Sequence, residues 1–186
     1  VNCLDRHLAT RGDKTALAFE PDDPNAPAQN VTYRELHARV CRLGNALRNL
    51  GVGKGDRVTI YLPMIVDAAV AMLACARIGA IHSVVFGGFA AAELATRIAD
   101  AAPKAIVSAS CGLEPGRVVA YKPLLDAAIA LSPHKPEFCL ILQRPELACE
   151  LVRGRDEDLR EAEAAAAPHP CGSVASTVTH GCGAAG

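Results

Sequence analysis

The chain has 186 residues, of which 51% are hydrophobic and 21% are charged, and its formal net charge is −1. This length suits one domain with a sizeable core, and nothing in the near-neutral charge calls for binding to nucleic acid or to an anionic membrane. No run of about 18 apolar residues occurs, so the sequence predicts no transmembrane helix.

The first part of the chain predicts a strand, a loop and a helix. The short strand is expected over residues 16–19 and the proline-containing loop over 21–30. Thr32 and Glu35 have the spacing of a capping box, and the leucines and valine that follow recur every three or four residues. This pattern predicts an amphipathic helix, which Gly51 ends.

The next part predicts a strand–helix–strand unit. Strands are expected over 58–62 and 81–86, and the helix between them ends at Gly79, where a left-handed conformation is favoured. Because the connection is a short helical crossover, the two strands should be parallel. His82 lies within the second apolar strand and is expected to be a histidine of the core.

Two adjacent glycines, Gly87 and Gly88, end the second of these strands. Glycines at such a position let the backbone approach a ligand closely. A plain tight turn explains the same two residues equally well, so the residues alone leave both interpretations open.

The alternation of strand and helix continues beyond these glycines. Helices are expected over 90–101 and 122–131, and strands over 105–109 and 138–142, with a loop over 112–117. Such regular alternation predicts the α/β class, with a mostly parallel, doubly wound sheet and flanking helices.

The last part of the chain has weaker patterns. Residues 153–163 are rich in charge and predict a solvated helix or loop. Residues 172–186 have no periodicity and consist largely of Gly, Ala, Ser and Thr, which predicts a divergent, disordered tail. The domain is therefore expected to cover residues 1–171.

The chain contains eight cysteines. Its length and α/β pattern argue against a disulfide framework, and no CxxC pair occurs, so free and mostly buried thiols are expected. A zinc site is a less favoured alternative, because the spacing of its four possible ligands matches no common zinc finger. Those ligands are His169, Cys171, His180 and Cys182.

Four motifs stand out by their length and composition. They are GKGDRV at 53–58, YLPM at 61–64, ARIGAIHSVVFGGF at 76–89, and GLEPGR at 112–117 followed by Tyr121. Together they resemble the AMP-forming acyl-CoA synthetases, also called adenylate-forming ligases, and within them the acetyl- and propionyl-CoA synthetases. The last motif resembles the propionyl type more closely.

The resemblance covers roughly residues 1–171 and implies the front part of the family's large N-terminal domain. It implies a ligase in which propionate or acetate reacts with ATP and Mg²⁺ to give an acyl-adenylate, and coenzyme A then displaces AMP. The family's phosphate loop is rich in Ser, Thr and Gly and ends in lysine, yet no lysine follows Lys135. We therefore expect no ATP site, no Mg²⁺ site and no catalytic residue in this chain, and no activity of the chain alone.

The resemblance also implies a site for coenzyme A. It assigns binding of the coenzyme A phosphates to Glu114, Pro115, Gly116 and Arg117. Gly116 lets the backbone come near, and the planar guanidinium of Arg117 suits a phosphate. The alternative is an ordinary β-turn with an arginine facing solvent. By the same resemblance, Gly87 and Gly88 lie near the pantetheine path.

Several alternatives stay open at this point. The chain could belong to an acetate–CoA ligase instead of a propionate–CoA ligase, or it could be a non-catalytic α/β binding module. The resemblance implies the mitochondrial matrix or the bacterial cytoplasm and not secretion. The expected partners are small molecules, without nucleic acid or membrane, and the oligomeric state is left open.

Overall fold

The structure is a computed structural model that describes residues 2–21 and 26–166. Its strands are β1 (Thr15–Phe19), β2 (Gln29–Thr32), β3 (Arg57–Tyr61), β4 (Ile81–Val84), β5 (Ala105–Ala109), β6 (Cys111–Glu114), β7 (Arg117–Ala120), β8 (Phe138–Leu142) and β9 (Asp156–Asp158). Its helices are a 3-10 turn (Asp5–His7), α1 (Leu8–Arg11), α2 (Tyr33–Asn49), α3 (Val66–Ile78), α4 (Ala91–Ala101), α5 (Tyr121–Leu131) and α6 (Leu159–Ala165).

Five parallel strands form the central sheet, in the order β4–β3–β5–β8–β9. The chain first moves from β3 to its neighbour β4, then crosses to β5 on the other side of β3 and continues outward. Right-handed crossovers in opposite directions place their helices on opposite faces of a sheet. The structure therefore confirms the predicted α/β class with a doubly wound parallel sheet.

Helices cover both faces of this sheet and create two cores. Side chains of α2, α3 and α6 build the first core, and side chains of α4 and α5 build the second. Alternate residues of one strand pack into different cores, since successive side chains of a strand point to opposite faces of the sheet. In β5, for example, Ala105 and Val107 belong to the first core and Ile106 to the second. Burial on both faces explains the nearly continuous apolar runs.

The predicted helix ends are present. Thr32 caps α2, and Glu35 completes the capping box. Gly79 follows α3 with a φ of 78°, and Gly51 follows α2 with a φ of 81°, so each sits in the left-handed region that favours glycine. These signals are local, which is why the sequence predicted them correctly.

Two short pairs of antiparallel strands accompany the main sheet. Strands β1 and β2 pack on the first core, although the sequence pattern predicted a loop at the position where β2 begins. The predicted loop 112–117 is also wrong, because β6 and β7 form a hairpin there. Its turn is Pro115-Gly116, a turn dipeptide between two runs that contain Leu113 and two valines.

Two further expectations are corrected. His82 is exposed and not a core residue, because β4 is the edge strand of the sheet. The charged stretch 153–163 is only partly solvated. It forms edge strand β9 and, as expected, part of a helix, α6, and three of its residues are buried. Asp156 is buried there between charged partners, which a charge pattern cannot reveal. The predicted tail 172–186 lies outside the described residues, as does the end of the predicted domain.

None of the helices within the described ranges has both the length and the apolar character that a membrane span requires.

Candidate functional site

The candidate site lies at the carboxyl edge of the parallel sheet, between β3 and β5. At this point the connections leave in opposite directions, and such a switch point is where open α/β sheets bind ligands. The last residue of β3, Tyr61, is paired in register with Ser108 of β5. The glycine turn follows β4 and the hairpin follows β5, so both predicted binding segments lie at this edge.

The glycine turn comprises residues 86–89 and is held by a tyrosine hydroxyl. The hydroxyl of Tyr61 donates toward the carbonyl oxygens of Gly87, at 3.3 Å, and Phe89, at 3.1 Å. A Cβ atom on Gly87 would lie 2.1 Å from the hydroxyl oxygen of Tyr121, and one on Gly88 would lie 2.5 Å from the ring of Phe86. Packing against the buried Tyr121 therefore favours glycine at position 87, whereas at position 88 the contact is with the exposed side chain of Phe86, which can turn away.

The hairpin carries the other four predicted residues at its tip. Glu114 and Arg117 are paired in register and flank the two-residue turn. Pro115 followed by Gly116 at a φ of 78° fits a type II turn, in which glycine is favoured at the second central position. Nothing would touch a Cβ on Gly116, so its glycine is explained by backbone conformation alone.

Arg117 has a partner within the hairpin. Its Nε and Nη2 donate to Oε2 of Glu114 at 2.8 and 2.5 Å. The Arg117 side chain is still 70% exposed, and its Nη1 makes no hydrogen bond to a residue that the structure describes. The guanidinium therefore keeps one free donor edge toward solvent, beside a carboxylate that neutralises part of its charge.

Tyr121 connects the two segments. Its ring stacks on Tyr61, with 4.9 Å between the centroids and an interplanar angle of 25°. A Cβ on Gly112 in β6 would lie 2.5 Å from the same ring. The glycine turn and the hairpin therefore contact one aromatic side chain. The sequence pointed to Tyr121 and Gly112 only as parts of a motif, although an isolated strand glycine indicates close approach of another group.

Both tyrosines of this pair have raised pKa values. Burial, and secondarily the neighbouring Tyr121, raises the pKa of Tyr61 to about 12. Burial also raises the pKa of Tyr121, and Glu114 adds to this rise. Both phenols are therefore neutral around neutral pH and can donate hydrogen bonds.

The buried thiol of Cys75 is not suited to act as a nucleophile. The six cysteines in the described part of the chain are free, and four of them, including Cys75 and Cys111, are buried. Burial raises the pKa of Cys75 to about 12, which disfavours the reactive thiolate. Among the described residues, no group of three or more His, Cys, Asp or Glu is arranged to hold a metal ion. The four residues of the alternative zinc site lie outside those ranges.

The comparisons with known proteins agree with the fold. The sequence model described as "AMP-binding enzyme" matches residues 4–175. The chain therefore belongs to the AMP-binding enzyme family.

Relatives of this chain carry the name acetyl-coenzyme A synthetase. The protein from Xanthomonas campestris pv. campestris is 61% identical over 157 residues, which are 84% of this chain and 24% of the relative. The protein from Beijerinckia indica is 54% identical over 167 residues, or 90% of this chain and 26% of the relative.

A solved structure has the same fold. The crystal structure of a Brucella canis acyl-CoA synthetase matches with a TM-score of 0.73 and 26% sequence identity, covering 92% of this chain and 28% of that chain. This chain thus spans about a quarter of the length of the proteins it matches.

Proposed function

We propose that this chain is part of a short-chain acyl-CoA ligase that forms acyl-CoA, AMP and pyrophosphate from a carboxylate, ATP and coenzyme A. Family membership and the relatives named acetyl-coenzyme A synthetase support this activity class. We favour propionate over acetate as the carboxylate because of the 112–117 motif and Tyr121. The relatives' names favour acetate, which is the alternative.

We propose that the contribution of this chain is to bind coenzyme A. The observation that carries the proposal is the meeting of the hairpin and the glycine turn on Tyr121, at the switch point of the sheet. Arg117 would bind a phosphate of coenzyme A through its exposed donor edge, with Gly116 and Pro115 shaping the turn. Gly87 and Gly88 would lie along the pantetheine arm.

The proposed division of labour follows from the chemistry of the second half-reaction. The sulfur of coenzyme A attacks the acyl carbon of the acyl-adenylate, its proton is lost, and the bond from that carbon to the phosphate oxygen of AMP breaks. A cationic guanidinium holds coenzyme A at its phosphate end and takes no part in these bond changes. We accordingly assign a binding role and no catalytic role to the residues of this site.

The adenylation half-reaction is placed outside this chain. No lysine follows Lys135, so the sequence has no Ser/Thr/Gly-rich loop that ends in lysine to hold the ATP phosphates. We propose that ATP and Mg²⁺ bind elsewhere in the full enzyme, in the mitochondrial matrix or bacterial cytoplasm, and that this chain alone forms no acyl-CoA.

Calorimetric titration of the purified chain with coenzyme A tests the proposal. Arg117→Ala is expected to weaken binding roughly tenfold or more, because a hydrogen bond to a charged group contributes about 1.5–3 kcal/mol. The matched control is Arg153→Ala. Arg153 is exposed and precedes the outermost strand β9, away from the proposed site, so this variant should bind coenzyme A like the wild type.

Two outcomes would contradict the proposal. A chain shown by circular dichroism to be folded that binds no coenzyme A would remove the binding role. Formation of propionyl-CoA from propionate, ATP and coenzyme A by the chain alone would show that the adenylation site is not missing.

A further inference from the structure

The backbone of Tyr121 closes the base of the hairpin. Tyr121 is the first residue of α5, and its N–H donates to the carbonyl oxygen of Ser110 at 3.0 Å. The preceding residue, Ala120, is paired in register with Cys111 at the start of β6. The two ends of the hairpin, at Ser110 and Tyr121, are therefore joined by a backbone hydrogen bond.

The side chain of Tyr121 fills the space between the hairpin and the glycine turn. Tyr121 is 5% exposed. One edge of its ring occupies the position that a Cβ on Gly112 would need, and its hydroxyl occupies the position that a Cβ on Gly87 would need. Because neither glycine has a side chain, both backbones lie directly against the tyrosine.

The stacked partner, Tyr61, completes the arrangement. It is 0% exposed and ends β3, an interior strand of the sheet, so its ring is packed within the second core. Its hydroxyl binds the carbonyl oxygens of the glycine turn from one side while Tyr121 contacts Gly87 from another. The two rings thus link the turn and the hairpin to the same rigid strand.

We propose that Tyr121 is the positioning residue of the coenzyme A site, which fixes the hairpin tip with Arg117 relative to the turn at Gly87. This inference rests on the proposed function. Tyr121 acts through these two segments and does not itself touch coenzyme A. Its loss therefore leaves every binding group present but allows the two segments to move apart, and a site held too loosely loses affinity.

Titration of tyrosine variants with coenzyme A tests the inference. Tyr121→Phe keeps the ring and should bind within about twofold of the wild type, whereas Tyr121→Leu should bind about tenfold more weakly, as expected for coupled neighbours. The matched control is Tyr33→Leu, which removes a partly buried tyrosine of α2 beside the first core, and its affinity should not change.

A double-mutant cycle distinguishes positioning of Arg117 by Tyr121 from a general loss of structural order in the chain. If Tyr121 acts through Arg117, then Tyr121→Leu should weaken binding much less when Arg117→Ala is already present. The same fold-loss in both backgrounds would overturn the inference, because it would mean that the two residues act independently.

A rescue experiment avoids dependence on the folding of Tyr121→Leu. Gly87→Ala places a methyl group against the Tyr121 hydroxyl and should weaken binding. Removing that hydroxyl with Tyr121→Phe in the Gly87→Ala chain should restore part of the affinity, because the closest contact disappears. A double variant that binds no better than Gly87→Ala would contradict the coupling.

The failure of the inference differs from the failure of the proposed function. If the folded wild-type chain does not bind coenzyme A, both fall. If the wild type binds, Arg117→Ala weakens binding, and Tyr121→Leu binds like the wild type with an unchanged Tm, only the positioning role of Tyr121 is wrong.

Discussion

Asp156, the first residue of edge strand β9, carries a buried charge. Its side chain is 0% exposed and has two cationic partners, Arg155 with Nε at 2.6 Å and Lys122 with Nζ at 3.0 Å. The N–H of Val152 also donates to it, at 2.8 Å. These contacts fasten α5, which carries Lys122, to the loop and strand at the sheet edge.

The pKa of Asp156 is lower than usual for a carboxyl group. Burial pushes this pKa upward, but hydrogen bonds from Arg155, the Val152 N–H and Lys122 outweigh burial. Because the pKa in the folded state lies below the unfolded value of about 3.9, the charged group stabilises the fold above that pH. This contribution is lost as the pH falls through the folded-state pKa.

Asp156→Asn is expected to lower the free energy of unfolding by about 3 kcal/mol at pH 7, because it leaves buried Lys122 and Arg155 to share the partly exposed carboxylate of Asp126. Urea denaturation measures the change. Repeating it at successively lower pH should show that the wild type loses more stability in acid than the variant. Glu157→Gln changes the exposed neighbour in β9 and should stay within about 0.5 kcal/mol of the wild type. Equal losses in the two variants would refute this account.

Among the elements, α2 depends on the cap at its first turn. The Thr32 hydroxyl accepts a hydrogen bond from the Glu35 N–H at 3.2 Å, and the Glu35 carboxylate accepts from the Thr32 N–H at 2.8 Å. Four residues at helical spacing then turn one face of α2 toward the first core. They are Leu36, Val40, Leu43 and Leu47. The capping box and the apolar face each favour a helix over the same residues, so two independent sequence signals specify α2.

Thr32→Ala is expected to cost about 1 kcal/mol of stability, since it removes the acceptor for an unpaired N–H of the helix. Thermal denaturation followed by circular dichroism measures the loss. Thr96→Ala serves as the control, because Thr96 is an exposed residue within α4 and alanine has the higher helix propensity there. A loss for Thr96→Ala as large as that for Thr32→Ala would argue against the cap.

For the molecule as a whole, the two edges of the main sheet differ. Strand β9 consists of Asp156, Glu157 and Asp158, and such charges discourage pairing with another chain. Strand β4 has no charged residue and no proline. At or beside this edge, Ile81 is 58% exposed and Phe86 is 67% exposed. The β4 edge therefore offers unpaired backbone groups and apolar side chains together.

We expect the purified chain to self-associate through β4. Val84→Lys places a charge on this edge and should shift the chain toward monomer in sedimentation experiments. Leu131→Lys is the control, because it changes an apolar residue at the end of α5 that is exposed at least as much as Val84, and it should not alter association. A wild-type chain that is a soluble monomer with a sharp cooperative melt would contradict this prediction.

Much of this architecture could be predicted from the sequence alone. The boundaries of β5 and β8 and the ends of α2 and α3 follow from apolar runs, a capping box and glycines with positive φ. These signals act between residues that are close in the chain, so no knowledge of the fold is needed to interpret them. The motifs likewise led to the family that the comparisons then showed.

Only the tertiary structure decided the contacts between distant segments. It placed His82 at an exposed edge, buried Asp156 between two cations, and brought Gly87 and Gly112 onto one tyrosine ring. Local periodicity carries no information about which strand lies at an edge of the sheet. It also does not show which side chain packs against the backbone of a distant glycine. These features depend on strand order and packing, which arise only when the whole sheet has assembled.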